Sequence, residues 1–407
     1  MRDLQELAED LVRPEEVADG LATGRLIVLR GRHRSVLVGT GSLVKLNTSV
    51  GCSDPRNVDA EYAKVDALTS CGYGPDITMD LSIVRPARPV YERLVDDFGG
   101  PVGTLPHYLC YKPRKGIDRA LLLDEIERQA AAGVAWMTLH LTVTRELYEL
   151  ARRTRLTPVT ARGGGLVAED MYLRGAAVGV LSELFADIAA ILRRHGTALS
   201  LGTTFRPANV VDAMDEVHVR EIKAQRPYVE EARRLGIPVM LEAVGHMTLA
   251  DCDRFTDLVR GELGLSLPIM TLGPIPTDAA VGEDHVSNAI GGAYLAMRGG
   301  TNVLNAVTRE EHTGFIPTLD SILEGVRAAR IAAHAVNISR FPALEADRST
   351  ARRRADNYTC VVDGGLFTQS VRTRFTMGCT RCGSACPLLI NAKLDGVRNL
   401  DITDVSS

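Results

Sequence analysis

The residues best suited to chemistry come near the end of the chain, in the run Cys379-Thr380-Arg381-Cys382-Gly383-Ser384-Ala385-Cys386-Pro387. Two residues separate the first pair of thiols and three the second. Thiolates this close can share one metal site, and the number of ligands decides what the metal does. Four close a zinc or iron–sulfur site and make it structural or electron-carrying. Three on a four-iron cluster leave one iron open to another molecule. Cys360, nineteen residues upstream of Cys379, is a candidate for a closing fourth ligand. Cys-x-x-Cys pairs also commonly bind zinc, so spacing alone leaves the closed and the open site both standing. The remaining thiols, Cys52, Cys71, Cys110 and Cys252, are isolated in apolar or strand-like contexts and read as reduced and buried.

A second set of reactive side chains recurs where apolar runs end. These are Asn47 and Ser49, then Met79-Asp80-Leu81-Ser82, His107-Tyr108, His140 and Arg162-Gly163-Gly164-Gly165. Thr203-Thr204-Phe205-Arg206, Glu242 to His246, and His312 follow. Singly, each has an ordinary reading: a core histidine, a turn former, a flexible glycine turn. The functional reading makes the glycine backbone and Arg162 an anion site, with Arg206 as a second anion ligand. Glu242 and His246 lie four apart, but across an expected strand–loop junction, so helical spacing does not pair them.

Nine short apolar, β-branched runs precede these groups: 42–50, 76–82, 101–108, 136–142, 158–162, 198–206, 238–244, 269–275 and 301–307. Helical patterns alternate with them, for example over 118–132, 177–194, 217–235 and 319–335. Alternation of this kind implies a parallel sheet with crossover helices. Eight or nine units over about 300 residues fit an α/β fold of the (β/α)8 TIM-barrel type better than an open sheet. No Gly-x-Gly-x-x-Gly follows the first strand, which argues against a dinucleotide fold. In a barrel, catalytic groups sit where strands end, which is where the polar residues fall. The expected organisation is a short cap over 1–40, the barrel over 41–340 and a small cluster-bearing segment over 341–407.

Composition narrows the function classes. Of 407 residues, 45% are hydrophobic and 24% charged, as in ordinary globular proteins. A net charge of −4 with dispersed Lys and Arg argues against nucleic-acid binding, and the Arg352-Arg353-Arg354 triplet reads as a solvated helix face. No apolar run reaches the roughly 18 residues of a membrane span. The acidic, amphipathic opening Met1-Arg2-Asp3-Leu4-Gln5-Glu6 does not read as a signal peptide, so the cytoplasm is the expected compartment.

Taken together, the segments resemble the phosphomethylpyrimidine synthase family of thiamine biosynthesis and its 5-hydroxybenzimidazole synthase paralogs. The likeness is carried by residues 44–51, 78–82, 102–108, 137–140, 161–164 and 239–246, and above all by Thr271-Leu272-Gly273-Pro274 through Asp284-His285 to Gly292. Glu311-His312 and Arg330 to His334 complete it. The resemblance implies a (β/α)8 barrel, a homodimer, and a [4Fe–4S] cluster on Cys379, Cys382 and Cys386 that cleaves S-adenosylmethionine. It implies 5-aminoimidazole ribotide or a related nucleotide as substrate and an electron donor of flavodoxin or ferredoxin type. Substrate positions carried over are Ser49, Met79, Tyr108, His140, Arg162, Gly163, Arg206, Glu242 and Met270, with Glu242 and His140 as proton-handling groups. His246 and His312 would hold a mononuclear Zn2+ or Fe2+. The departures are a cysteine spacing one residue short, Ala161 before Arg162, Thr203 for an aspartate, Met270 for a tyrosine, and a missing long N-terminal region. They suit a paralog with a benzimidazole-type or specialised product. The pyrimidine product, a nucleotide-binding barrel without radical chemistry, and a zinc-stabilised scaffold are the alternatives.

Overall fold

A computed structural model of the chain describes residues 16–342, 344–360, 366–367, 382 and 385–396. It falls into two compact units, Met1–Arg340 and Phe341–Ser407. The strands of the first, in chain order, are β1 (Leu26–Arg30), β2 (Ser35–Gly39), β3 (Lys45–Val50), β4 (Ile77–Asp80), β5 (Val102–Thr104), β6 (Tyr111–Lys112) and β7 (Gly116–Ile117). They continue as β8 (Trp136–Leu139), β9 (Ala198–Gly202), β10 (Val239–His246), β11 (Ile269–Ile275) and β12 (Val303–Asn305). Eight of them close a barrel in the order β3-β4-β5-β8-β9-β10-β11-β12, every pair parallel. The seam between β12 and β3 is zipped by a side-chain bond, Asn47 Nδ2 donating to Asn305 Oδ1 at 2.5 Å.

Several helices begin where a side chain supplies an acceptor for their free N–H groups. Asp118 caps the helix Arg119–Ala131, Thr144 caps Arg145–Thr154 and Asp215 caps Glu216–Ala224. The long last helix, Leu319–Arg340, ties the end of the unit to its beginning. Its Arg330 pairs with Asp76 at 2.9 Å just before β4, and Asn337 Oδ1 accepts from Val44 N at 2.8 Å just before β3.

The barrel interior is packed. Trp136 is fully buried, and a Cβ on Gly103 would fall 2.1 Å from its indole, so β5 must carry glycine there. The antiparallel hairpin β1–β2 plugs the N-terminal ends of the strands. Ile27, Leu29, Val36 and Val38 join one apolar cluster with Ile77, Trp136, Ala198 and Val303, the residues that open β4, β8, β9 and β12. His33 N donates to Gly99 O at 2.8 Å, anchoring the hairpin ahead of β5. That leaves the C-terminal ends of the strands for the site.

The run 158–162 is not a strand. Trp136 of β8 pairs directly with Ala198 of β9, so the sheet has no gap to fill. The chain entering the run is tied off the sheet: Asp212 accepts from Leu156 N and Thr157 N at 3.2 Å each, just before residue 158. Ala161 is extended and Arg162 starts the helix Arg162–Leu173, so the triple glycine forms a helical first turn rather than a flexible loop. β10 also differs, running two residues past its expected end to include His246.

In the second unit, the helix Glu345–Asp356 carries the arginine triplet and buries none of its residues. Tyr358 OH donates to Asp395 Oδ2 at 2.9 Å beyond the helix Pro387–Leu394.

Candidate active site at the C-terminal end of the barrel

Most of the side chains singled out in the barrel unit fall on its strands or on the loops that leave them, with Arg162 to Gly165 at the start of the helix Arg162–Leu173. Ser49 of β3 stands in register with Met79 of β4. Next to Met79, the Asp80 carboxylate accepts from Ser82 N, Ser82 Oγ and Tyr91 N, which fixes the turn after β4. Tyr108 lies on the 3-10 turn Pro106–Cys110 that follows β5, and Arg162 stacks on its ring at 5.6 Å. Burial pushes the Tyr108 phenol up to about 12, against the pull of Arg162 and Arg206 and with Glu242 adding to the rise. Four of the candidate residues, on four different segments, therefore share one electrostatic environment.

His140 follows β8 and is buried. Its Nδ1 meets Thr204 Oγ1 at 3.2 Å. Burial holds the imidazole well below its ordinary range, helped by His107 and Arg206. His107 lies edge-on to it, ring centres 5.8 Å apart, and burial lowers it to about 3. Neither ring nitrogen of His107 makes a geometrically sound hydrogen bond among the described residues. The Gly163 backbone is near enough to raise its basicity slightly without forming one. Gly163 is the wedge between these rings. A Cβ there would lie 2.5 Å from His140 Nε2 and 2.7 Å from His107 Nε2. Gly164 is pressed in the same way against Thr204, 2.3 Å from Cγ2. The glycines thus let the N-terminus of the helix Arg162–Leu173 enter the site. Its first-turn N–H groups have no intrahelical acceptor and carry the positive end of the helix dipole. Arg162 itself is exposed.

Glu242 lies mid-strand on β10, in register with Gly202 on one side and Met270 on the other. Its Oε2 accepts from Thr138 Oγ1 at 2.9 Å. Burial raises its pKa, while Arg206 and the Thr138 hydroxyl pull it back. Met270 is fully buried and joins Met79 and Tyr108 in the interior cluster.

The two histidines given as metal ligands do come together. His246 and His312 have ring centres 4.8 Å apart. A bulge brings His246 there: the β10–β11 register breaks between Val244 and His246, where Val244 has φ 101° and Gly245 φ 92°. Each imidazole leans on a carboxylate through Nδ1, His246 on Asp278 Oδ1 at 2.6 Å and His312 on Asp284 Oδ1 at 3.1 Å. This is the outer-shell pattern of metal-binding histidines, with both Nε2 atoms left for an ion. The buried Asp284 Oδ2 has no partner among the described residues. No group of three or more His, Cys, Asp or Glu able to hold a metal occurs among the described residues.

Of the cysteine run, Cys379 lies outside the described residues. Cys382 is exposed, and Cys386 is buried at the start of the helix Pro387–Leu394. Ala385 N donates to Cys382 O at 3.2 Å, and both Cys382 and Cys386 are free thiols. Cys360 is exposed and free, and Cys52, Cys71, Cys110 and Cys252 are buried free thiols.

Sequence reasoning missed Thr138, Asp278 and Asp284 as supports of these groups. Nothing in their spacing marks them; only the fold brings them within bonding distance.

A closed parallel barrel with cationic, carboxylate and imidazole groups gathered at one end has the arrangement of a (β/α)8 enzyme. The profile described as the radical SAM ThiC family matches residues 2–393. The phosphomethylpyrimidine synthase of Ignicoccus hospitalis is 34% identical over 420 residues, covering 95% of this chain and 93% of that one. That of Methanopyrus kandleri is 37% identical over 347 residues, covering 82% and 79%. The 5-hydroxybenzimidazole synthase BzaA of Eubacterium limosum is 32% identical over 414 residues, covering 96% of each. The chain belongs to the radical SAM ThiC family. Membership implies an enzyme with a [4Fe–4S] cluster and S-adenosylmethionine, acting on a small molecule with a reductant. Matching 93% of the Ignicoccus synthase also corrects one expectation: a missing long N-terminal region does not separate this chain from such synthases. No helix among the described residues is long and apolar enough to cross a membrane.

Proposed function

We propose that the enzyme rearranges 5-aminoimidazole ribotide, or a closely related imidazole nucleotide, into a heterocycle precursor. The observation that carries this reading is Gly163. It admits a helix N-terminus, with its dipole and Arg162, between two buried imidazoles, and Arg162 and Arg206 both act on the Tyr108 phenol, which suits a phosphate at one end of a polar heterocycle. Arg162, the first-turn N–H groups and Arg206 hold the phosphate. Tyr108, Ser49, Met79 and Met270 face the heterocycle and ribose. His140 is uncharged at neutral pH, so its imidazole orients the ligand and can give or take a proton, with Glu242 as the acidic partner. Cys379, Cys382 and Cys386 would hold the cluster, which would supply the electron for reductive cleavage of S-adenosylmethionine. His246 and His312 would hold a zinc or ferrous ion, which would supply Lewis-acid chemistry there.

The product reading is a 5-hydroxybenzimidazole-type or specialised compound, on the strength of Thr203 and the fully buried Met270. The pyrimidine phosphate of thiamine biosynthesis is the second reading, favoured by synthases at 34–37% identity. The setting we propose is cytoplasmic, with a flavodoxin- or ferredoxin-type donor and a homodimer. For the dimer, Val286, Ile290 and Met297 lie exposed along the helix Asp284–Met297 and self-association would cover them.

Anaerobic incubation with the nucleotide, S-adenosylmethionine and dithionite, read by mass spectrometry, tests this. Release of 5′-deoxyadenosine together with an imidazole-derived product is expected, and the product's mass separates the two readings. Release of 5′-deoxyadenosine with the nucleotide intact rejects the substrate. A colourless, iron-free anaerobic preparation rejects the radical chemistry.

A further inference from the structure

One buried carboxylate outside the barrel reaches both loops that carry the site's central groups. Glu221 lies on the helix Glu216–Ala224 and is fully buried. Its Oε1 accepts from Thr142 Oγ1 at 2.8 Å, in the loop after β8 and two residues beyond His140. The same oxygen accepts from Thr204 N at 2.6 Å, and Oε2 accepts from Phe205 N at 2.7 Å, in the loop after β9 that ends in Arg206. Thr204 passes the constraint inward: its hydroxyl meets His140 Nδ1, and its methyl is the atom against which Gly164 packs. A second clamp holds the same loop from the other side. Arg155 donates to Phe205 O at 2.7 Å while bound through two nitrogens to Asp215, the cap of Glu221's own helix.

We propose that Glu221 is a positioning residue that registers the loop after β8 against the loop after β9, and so sets the His140 imidazole relative to Arg206 without touching the ligand. The proposal rests on the site reading given above, but its geometry does not depend on which nucleotide is bound. The alternative is a carboxylate that merely satisfies two buried amides. Such a residue would matter to stability but would leave the His140 ring where it is. The two roles separate because Thr204 is bonded to Glu221 through its backbone and to His140 through its side chain.

The test is Glu221→Gln in the holoenzyme. Glutamine keeps the size but offers one acceptor oxygen. Whichever way its amide turns, the N–H of Thr204 or Phe205 faces a donor. Histidine is 15N-labelled in the ring, and His140 is assigned by comparison with His140→Gln. The expected result is displaced His140 ring resonances with those of His33 unmoved, and a fall in kcat/KM of about 10- to 100-fold, the usual scale for an orienting partner. Thr204→Val keeps Glu221 and the backbone amide but removes the hydroxyl at His140 Nδ1. It is expected to reproduce the His140 shift, and it carries the test if Glu221→Gln does not fold. Unchanged His140 resonances in a folded Glu221→Gln, or in Thr204→Val, overturn the proposal. Displaced resonances in an enzyme that never turns over the nucleotide leave the proposal standing and reject the substrate assignment instead.

Discussion

At the scale of single residues, the site depends on what is absent from Gly163. Alanine usually improves a helix over glycine by about 1 kcal/mol. At Gly165 nothing lies within 4 Å of an added Cβ, so Gly165→Ala is expected to stabilise the protein by up to that amount. At Gly163 the same methyl would run into two buried imidazoles. Overpacking of that kind costs about 1–3 kcal/mol and outweighs the propensity gain. Gly163→Ala is therefore expected to be destabilised, and to lose turnover as His140 is displaced. Urea denaturation of the two variants side by side, with anaerobic turnover of the second, checks the opposite signs.

A second residue-scale prediction concerns pH. His218 is fully buried, lies nearly parallel to Phe255 with ring centres 6.0 Å apart, and burial takes it from the ordinary 6.5 to about 3. The unfolded chain takes up a proton below pH 6.5 that the folded chain refuses. The stability tied to this residue is thus present above 6.5 and lost as pH falls toward 3, at about 1.4 kcal/mol per pH unit. In His218→Leu that loss is removed. The stability gap between variant and parent is expected to shift by about that slope between pH 6 and 5; parallel curves in urea titrations would refute it. His107 acts with the same sign, whereas Glu221 and Asp80, raised by burial to about 7 and about 6, act with the opposite one.

At the scale of elements, the informative one is β10. A period-2 pattern places Glu242 and His246 on one face of an even strand, yet the strand is not even. The bulge at Val244 and Gly245 bends it and turns His246 toward His312. A β-branched residue at φ 101° is strained backbone, held here by full burial of Val244. Gly245 has φ 92°, and a Cβ on it would fall 2.4 Å from Pro207 O. Gly245→Ala is expected to straighten or displace the strand end and to lower the metal held by the histidine pair, while cluster iron is retained. Elemental analysis of zinc and iron in parent and variant distinguishes this from a global loss of fold.

At the scale of the whole molecule, the barrel is stabilised at the end opposite the site. The hairpin β1–β2 contributes Leu29, fully buried in the interior cluster. Leu29→Ala is expected to cost about 2–5 kcal/mol, read as a lower urea midpoint, although the residue belongs to the strand end that chemistry does not use. Such an arrangement lets the C-terminal mouth keep unpaired N–H groups and buried imidazoles, which are costly, because the plug and barrel core supply the compensating burial.

Much of this was legible in the amino-acid order. Alternating apolar runs and capped helical stretches marked out eight barrel strands, because burial between two layers demands that period. Polar residues at strand ends pointed to one face, because a barrel places every C-terminal strand end together. What sequence spacing got wrong was 158–162, which reads like a strand but has no place in a sheet where β8 pairs directly with β9, and which follows two amides, Leu156 and Thr157, bonded to the Asp212 carboxylate. The bulge that aims His246, the glycine wedge between His107 and His140, and the reach of Glu221 into two loops were decided only by tertiary structure. Each depends on contacts between residues far apart along the chain, and no local periodicity records them. The sequence alone carried the three-thiol run and the alternation that makes a barrel, since close ligand spacing and local burial patterns are properties of neighbours.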